Sequence, residues 1–135
     1  MIVSGLDAVR YGWSTMPLWI TFLGLVMIVT ASYLSFWAMV VNSYFKCTVL
    51  VRKDQQVCRS GPYRFVRHPG YAAGIVSFLA APLILGSWWG LVPSNMLVIM
   101  LVIRTAMEDR TLKKELPGYR EYTRTTRYRL IPGVW

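Results

Sequence analysis

The sequence predicts an all-α integral membrane protein: one transmembrane helix, then a helical hairpin, then a cytoplasmic C-terminal helix and tail. Three observations carry this expectation. Hydrophobic residues make up 55% of the 135 positions and charged residues 16%, against about 25% charged in soluble domains. A chain this short, one domain over 1–135, cannot bury so much apolar surface in its own core. Uncharged apolar stretches at 17–41, 70–85 and 91–103 alternate with two basic blocks at 46–67 and 104–129, and Arg10 alone among the lysines and arginines lies outside those blocks.

Each element has its own signal. Residues 1–15 read as a short irregular or interfacial lead-in, with Trp13 and Trp19 as interface anchors. They hold Asp7 and Arg10 but no apolar stretch of the kind a signal peptide needs. Pro17 suits the first turn of a helix, and residues 17–41 are long enough to cross a core about 30 Å thick. Asn42 and Tyr44 close that run, and Lys46 marks the exit. Residues 46–69 form a polar segment, with a turn at Arg52-Lys53-Asp54-Gln55-Gln56 and a second break at Ser60-Gly61-Pro62. Pro69 reads as the first residue of a new helix, with His68 near its cap.

Residues 70–85 and 91–104 form the hairpin, turned by Gly86-Ser87-Trp88-Trp89-Gly90. Neither limb reaches about 20 apolar residues alone, so each crosses only with its polar end buried in protein. Gly70, Ala72, Ala73, Gly74 and Ser77 offer a small-residue face for close helix packing. The second limb continues as a polar helix with i, i+4 pairs Arg104–Glu108 and Asp109–Lys113, until Pro117-Gly118 stops it. Residues 121–126 suit a short helix and 127–135 an extended strap.

Three crossings place the N-terminus outside, and the segments 46–69 and 104–135 together on the cytoplasmic face. The net charge of +9 then follows from the positive-inside rule and from anionic lipid headgroups, with no call for nucleic acid. Cys47 and Cys58 are reduced thiols in that compartment. With a single histidine and no Cys-x-x-C, the chain offers no metal set.

The densest chemistry lies in Gly61-Pro62-Tyr63-Arg64-Phe65-Val66-Arg67-His68-Pro69-Gly70-Tyr71. The second polar segment adds Arg104, Glu108, Asp109, Arg110, Tyr119 and Tyr122, with Arg127, Tyr128 and Arg129 behind them. Such a set suits a ligand with a carboxylate, an ammonium and a flat ring: arginine grips the first, glutamate the second, tyrosine faces the third. Each residue also has a blander role. His68 can be a cap, Arg104–Glu108 a helix-surface pair, and the tail tyrosines interface anchors.

These motifs, with Arg104-x-x-x-Glu108-Asp109-x-x-Leu112 and Pro117-Gly118-Tyr119-x-x-Tyr122, resemble the isoprenylcysteine carboxyl methyltransferase family. That wider group includes phospholipid methyltransferases and small-thiol methyltransferases. The resemblance spans residues 40–135. It implies S-adenosyl-L-methionine binding without a dinucleotide fold, and no Gly-x-Gly-x-x-Gly is present. It implies cofactor contacts at Tyr63, Arg67, His68, Pro69, Tyr71, Gly74, Glu108, Asp109, Tyr119, Tyr122 and Arg129. The chemistry of methyl transfer then gives catalytic roles to Arg67 or Arg104, orienting a carboxylate acceptor, and to Glu108 or His68, as base for a thiol or amine. Where many members carry Glu-Glu, this chain has Glu108-Asp109.

Members also carry further transmembrane helices before the region matching Leu18. A short natural form, a misassigned start at Met1 and a fragment all fit that departure, and homo-oligomerisation would compensate for lost surface. The implied acceptor is a prenylcysteine carboxylate, a phospholipid amine or a thiol. Two other readings stay open: a non-catalytic membrane module that kept the fold, and an NADPH-dependent membrane reductase with a similar C-terminal layout.

Overall fold

The computed structural model describes residues 2–42 and 55–135. The expectations for Tyr44, Phe45, Lys46 and Cys47, and the start of the turn at Arg52, lie outside the described residues. Among the described residues five α-helices follow in order: α1 (Ile2–Gly5), α2 (Leu18–Val41), α3 (Pro69–Ile84), α4 (Leu91–Glu115) and α5 (Tyr119–Thr125). A wide helical turn, Leu6–Tyr11, follows α1, and a 3-10 turn, Gly61–Arg64, precedes α3. Among the described residues no β-strand occurs.

Helices α2 and α4 have 24 and 25 residues and are long and apolar enough to cross a membrane. Each extends about 36 Å at the usual rise. Helix α3 has 16 residues, about 24 Å, which is short of the ~30 Å hydrocarbon core. Among the described residues two helices therefore reach spanning length by themselves, and α3 is the short apolar limb that the sequence led us to expect. The physical cause is local. Pro69 sets the start of α3, and the turn after Ile84, with Gly86 at φ 66, stops it. The expected limb 91–104 is the apolar part of the longer α4, continuous through its polar end.

The chain packs as two compact units, Met1–Tyr33 with Ala73–Leu101, and Leu34–Ala72 with Val102–Trp135. In the first unit the packing is inside out. Phe22, Val26 and Val29 of α2, and Val92, Met96 and Ile99 of α4, are exposed, while Ala31, Ala73 and Ala80 are buried. Small residues inward and large apolar residues outward is the arrangement that lets helices approach closely in lipid. At Gly24 the approach is closest: a Cβ there would lie 2.9 Å from Ile84 Cγ1 and 3.0 Å from its backbone nitrogen. Gly24→Leu is expected to cost about 1–3 kcal/mol by overpacking and to lower the thermal midpoint in detergent. Leu25→Ala, at an exposed site, is the control with little effect. Equal midpoints for Gly24→Leu and wild type would refute this contact.

In the lead-in, expected to be irregular or interfacial, residues 2–11 form helical turns and 12–17 no regular structure. Asp7 is fully buried and accepts hydrogen bonds on Oδ2 from Ser14 Oγ at 2.6 Å and Ser87 Oγ at 2.5 Å. Ser87 Oγ in turn accepts from the Gly90 amide at 2.9 Å, and Ser14 Oγ from the Trp88 amide at 3.1 Å. Burial pushes the Asp7 carboxyl up, but the hydrogen bonds from Ser14 and Ser87 outweigh it, so it sits below the usual value. These partners lie up to 80 positions away in sequence, so no local pattern announced them.

The second unit has its own apolar centre: Ala38, Tyr63, Leu116, Tyr119 and Tyr122, with Val57, Cys58 and Leu112 against it. Gly61, at φ 57, lets the segment before α3 lie against α2, since a Cβ would meet Val41 at 3.0 Å and Trp37 at 3.2 Å. Gly118, at φ 77, caps the start of α5 and reverses the chain after α4. Beyond α5 the strap is extended only at its start. Residues 129–134 form bends and turns, and the amides of Arg129 and Leu130 both donate to Trp135 O, at 2.8 and 3.0 Å.

Candidate functional site

The polar motifs gather in the second unit. Pro69, fully buried, is the first residue of α3, where a missing N–H costs nothing. His68 precedes it, and its carbonyl accepts from the amides of Tyr71 and Ala72, both at 3.1 Å. The amides of Arg67 and His68 point the other way, donating to Tyr128 O at 3.0 Å and Arg129 O at 2.9 Å. The Arg67–His68 turn is thus tied to the C-terminal strap by its backbone.

Asp109 sits within this frame, fully buried. Its Oδ1 lies 3.4 Å from Arg67 Nη1 and 3.6 Å from His68 Nε2, and it accepts from the Tyr119 hydroxyl at 3.1 Å. Its Oδ2 lies 3.0 Å from Lys113 Nζ, and it accepts from Arg129 Nε at 3.2 Å. The i, i+4 pair Asp109–Lys113 read from the sequence is therefore formed. A buried carboxylate is tolerated only when paired and hydrogen-bonded in this way. Arg129 also stacks over the Trp135 ring, 4.7 Å from its centroid. Arg67 Nη2 donates to Arg127 O at 3.4 Å, while its buried Nε has no hydrogen-bond partner.

A second group meets at Tyr71. Its hydroxyl donates to Glu108 Oε2 at 2.6 Å and accepts from Arg104 Nε at 2.9 Å. Arg104 and Glu108 thus converge on one phenol. The Glu108 side chain is 22% exposed, unlike that of Asp109. Its Oε1 lies 3.9 Å from His68 Nδ1, and the His68 ring lies 5.9 Å from that of Tyr71. His68 therefore stands between the two carboxylates, with Nδ1 toward Glu108 and Nε2 toward Asp109.

The other tyrosines are buried. Tyr63 donates to Ala38 O at 3.5 Å and accepts from Asn42 Nδ2 at 3.1 Å. Burial pushes its hydroxyl up to about 12. Burial also raises Tyr119, with Asp109 adding to it, and raises Tyr122. These phenols stay neutral hydrogen-bond donors. Tyr122 donates to Tyr63 O at 2.6 Å, and Thr126 Oγ1 reaches the same oxygen at 3.3 Å. Tyr122→Phe is expected to cost about 1–3 kcal/mol by stripping that buried carbonyl of its best donor. Thermal unfolding in detergent checks this, and an unchanged midpoint would count against the contact.

Of the residues singled out in the sequence, Tyr63, Arg67, His68, Pro69, Tyr71, Arg104, Glu108, Asp109, Tyr119, Tyr122 and Arg129 all fall in this unit. Gly74 belongs to the other, where a Cβ would meet Leu101 at 3.2 Å. Sequence reading gave no role to Thr126 or to Trp135 as the seat of Arg129. A threonine after a short helix and a terminal tryptophan carry no distinctive spacing.

A family model described as phospholipid methyltransferase matches residues 19–117. The chain belongs to the phospholipid methyltransferase family. The match begins near the start of α2 and ends just beyond α4, so it contains Tyr63, Arg67, His68, Pro69, Tyr71, Gly74, Arg104, Glu108 and Asp109. Tyr119, Tyr122 and Arg129 lie past its end. The resemblance expected over residues 40–135 is thus extended toward the N-terminus through α2. The chain is also similar to the uncharacterized protein YpbQ of Bacillus subtilis (strain 168), at 25% identity over 90 residues. That alignment covers 65% of this chain and 54% of the relative, so the chain spans about half the length of the curated relative it matches.

Proposed function

We propose that this chain is an integral membrane methyltransferase that moves a methyl group from S-adenosylmethionine to a lipophilic or small acceptor. The observation that carries the proposal is family membership over residues 19–117. The donor set in the second unit fits the group. Arg67 keeps a buried Nε without a partner, and Glu108, which meets the neighbouring His68, is partly open. Arg67 would hold the carboxylate of the amino-acid end, Glu108 its ammonium, and the Tyr71 ring the sulfonium. His68, Pro69 and Tyr63 would line the same site, and Tyr119, Tyr122 and Arg129 would support it from the tail.

S-adenosylmethionine supplies a methyl group on a sulfonium, open to in-line displacement. The chain's own task is alignment and exclusion of water. A carboxylate acceptor is already ionised, and Arg67 or Arg104 orients it. A thiol or amine acceptor must lose a proton, and Glu108 is the base. The Tyr71 hydroxyl on Oε2 and His68 near Oε1 hold that carboxylate in one orientation. We assign a multi-pass arrangement with the basic loop and the tail cytoplasmic, on the clustering of lysine and arginine.

Titration calorimetry in detergent tests the reading. S-adenosylhomocysteine is expected to bind and NADPH is not. Binding of NADPH alone would overturn the proposal in favour of a reductase, and binding of neither would leave a non-catalytic module.

A further inference from the structure

We propose that Asp109 is a positioning residue: its buried carboxylate fastens the C-terminal strap, residues 127–135, to the Arg67–His68 turn and so pre-forms the donor site. The inference rests on the methyltransferase reading of that site and deepens it.

Consecutive residues on a helix point about 100° apart, so Glu108 and Asp109 present their carboxylates to different surroundings, although His68 meets one with each ring nitrogen. The geometry divides them. Glu108 is partly open and meets Tyr71. Asp109 is closed off, and both its oxygens are engaged by the chain itself. Its partners come from separate elements: Arg67 and His68 from the turn before α3, Tyr119 from α5, and Arg129 from the strap. A ligand group could reach the carboxylate only by displacing them.

The strap is held on the same turn by three other bonds. The Arg67 and His68 amides donate to Tyr128 O and Arg129 O, and Arg67 Nη2 donates to Arg127 O at 3.4 Å. Trp135 lies under the Arg129 guanidinium, which keeps that cation aimed at Asp109. The Arg67 and His68 side chains are thus fixed from two sides, by Asp109 and by the strap. Loss of either loosens the hold on both. Misplacement of a binding group by about 1 Å is enough to cost a large factor in function.

Asp109→Asn, Arg129→Gln and the double variant test this, by hydrogen exchange at residues 65–71 and 127–135 without ligand, and by calorimetry with S-adenosylhomocysteine. Each single variant is expected to speed exchange of the Arg67 and His68 amides, and to weaken binding, by about tenfold or more. The double variant should be no worse than Asp109→Asn by more than about threefold, because both changes break one connection. Losses that multiply in the double variant, as a direct ligand would give, would overturn the proposal. So would unchanged exchange in Asp109→Asn. If wild type binds no S-adenosylhomocysteine, the methyltransferase reading fails and the exchange data alone decide the role of the strap. If Asp109→Asn does not insert, Arg129→Lys and Arg129→Gln carry the test. Lysine should restore protection that glutamine loses, and equal protection in wild type and Arg129→Gln overturns the proposal.

Discussion

Glu108→Gln is expected to lower methyl transfer by about a hundredfold or more, the usual contribution of a positioned acid or base. The substitution keeps the shape of the side chain. Its amide oxygen can still accept from the Tyr71 hydroxyl, now at 2.6 Å from Oε2, so α3 and α4 stay joined at that point. What disappears is the negative charge that would hold an ammonium or take a proton from an amine or thiol. The thermal midpoint should therefore stay near that of wild type while transfer of labelled methyl collapses. A carboxylate acceptor separates the two roles, because it needs no base. With such an acceptor the loss would appear mainly in the KM for the donor. Turnover equal to wild type with every acceptor class would remove Glu108 from the site.

His68→Ala should have the second-largest effect, and on two measurements at once. The ring is buried and stands between Glu108 and Asp109, with the Tyr119 hydroxyl 3.4 Å from Nε2. Its removal leaves a cavity and strips a partner from both carboxylates, at a cost of about 2–3 kcal/mol. Donor affinity should fall with it, because Glu108 loses the neighbour on Oε1. The backbone survives the change: the residue 68 amide can still donate to Arg129 O, and its carbonyl can still accept from Tyr71 and Ala72. Calorimetry with S-adenosylhomocysteine and thermal unfolding should both respond. A loss of stability with intact affinity would reduce His68 to the helix cap that its place before Pro69 also suggests.

Much of the architecture is written in local pattern. Uncharged runs of sufficient length mark α2 and the apolar part of α4, because a helix needs only its own backbone for hydrogen bonding. Pro69 and Gly118 mark where α3 starts and where the chain turns before α5, because one fixes φ and the other permits a positive one. The i, i+4 spacing of Asp109 and Lys113 correctly anticipated a contact, at 3.0 Å. Arg104 and Glu108, also spaced i, i+4, both engage the Tyr71 hydroxyl, a group from another helix. The helical turns over residues 2–11, in a segment expected to be irregular or interfacial, have a related cause. The burial of Asp7 depends on Ser87, far along the chain. The short apolar limb expected at 70–85 is α3, Pro69–Ile84, because Pro69 and the turn around Gly86 bound it in sequence.

The sequence by itself determined the helical class, the apolar spans, the motif Arg67-His68-Pro69-x-Tyr71 and the acidic pair that follows it. These depend on composition, on periodicity and on residues near one another in the chain. Only the tertiary structure decided how the acidic pair divides. Adjacent positions on a helix face different ways, so Glu108 opens toward Tyr71 while Asp109 is enclosed by Arg67, His68, Lys113, Tyr119 and Arg129. In one dimension the two carboxylates look interchangeable. In three they differ because the charges that enclose one of them arrive from a turn about 40 positions earlier and a strap about 20 positions later, and folding alone brings those together.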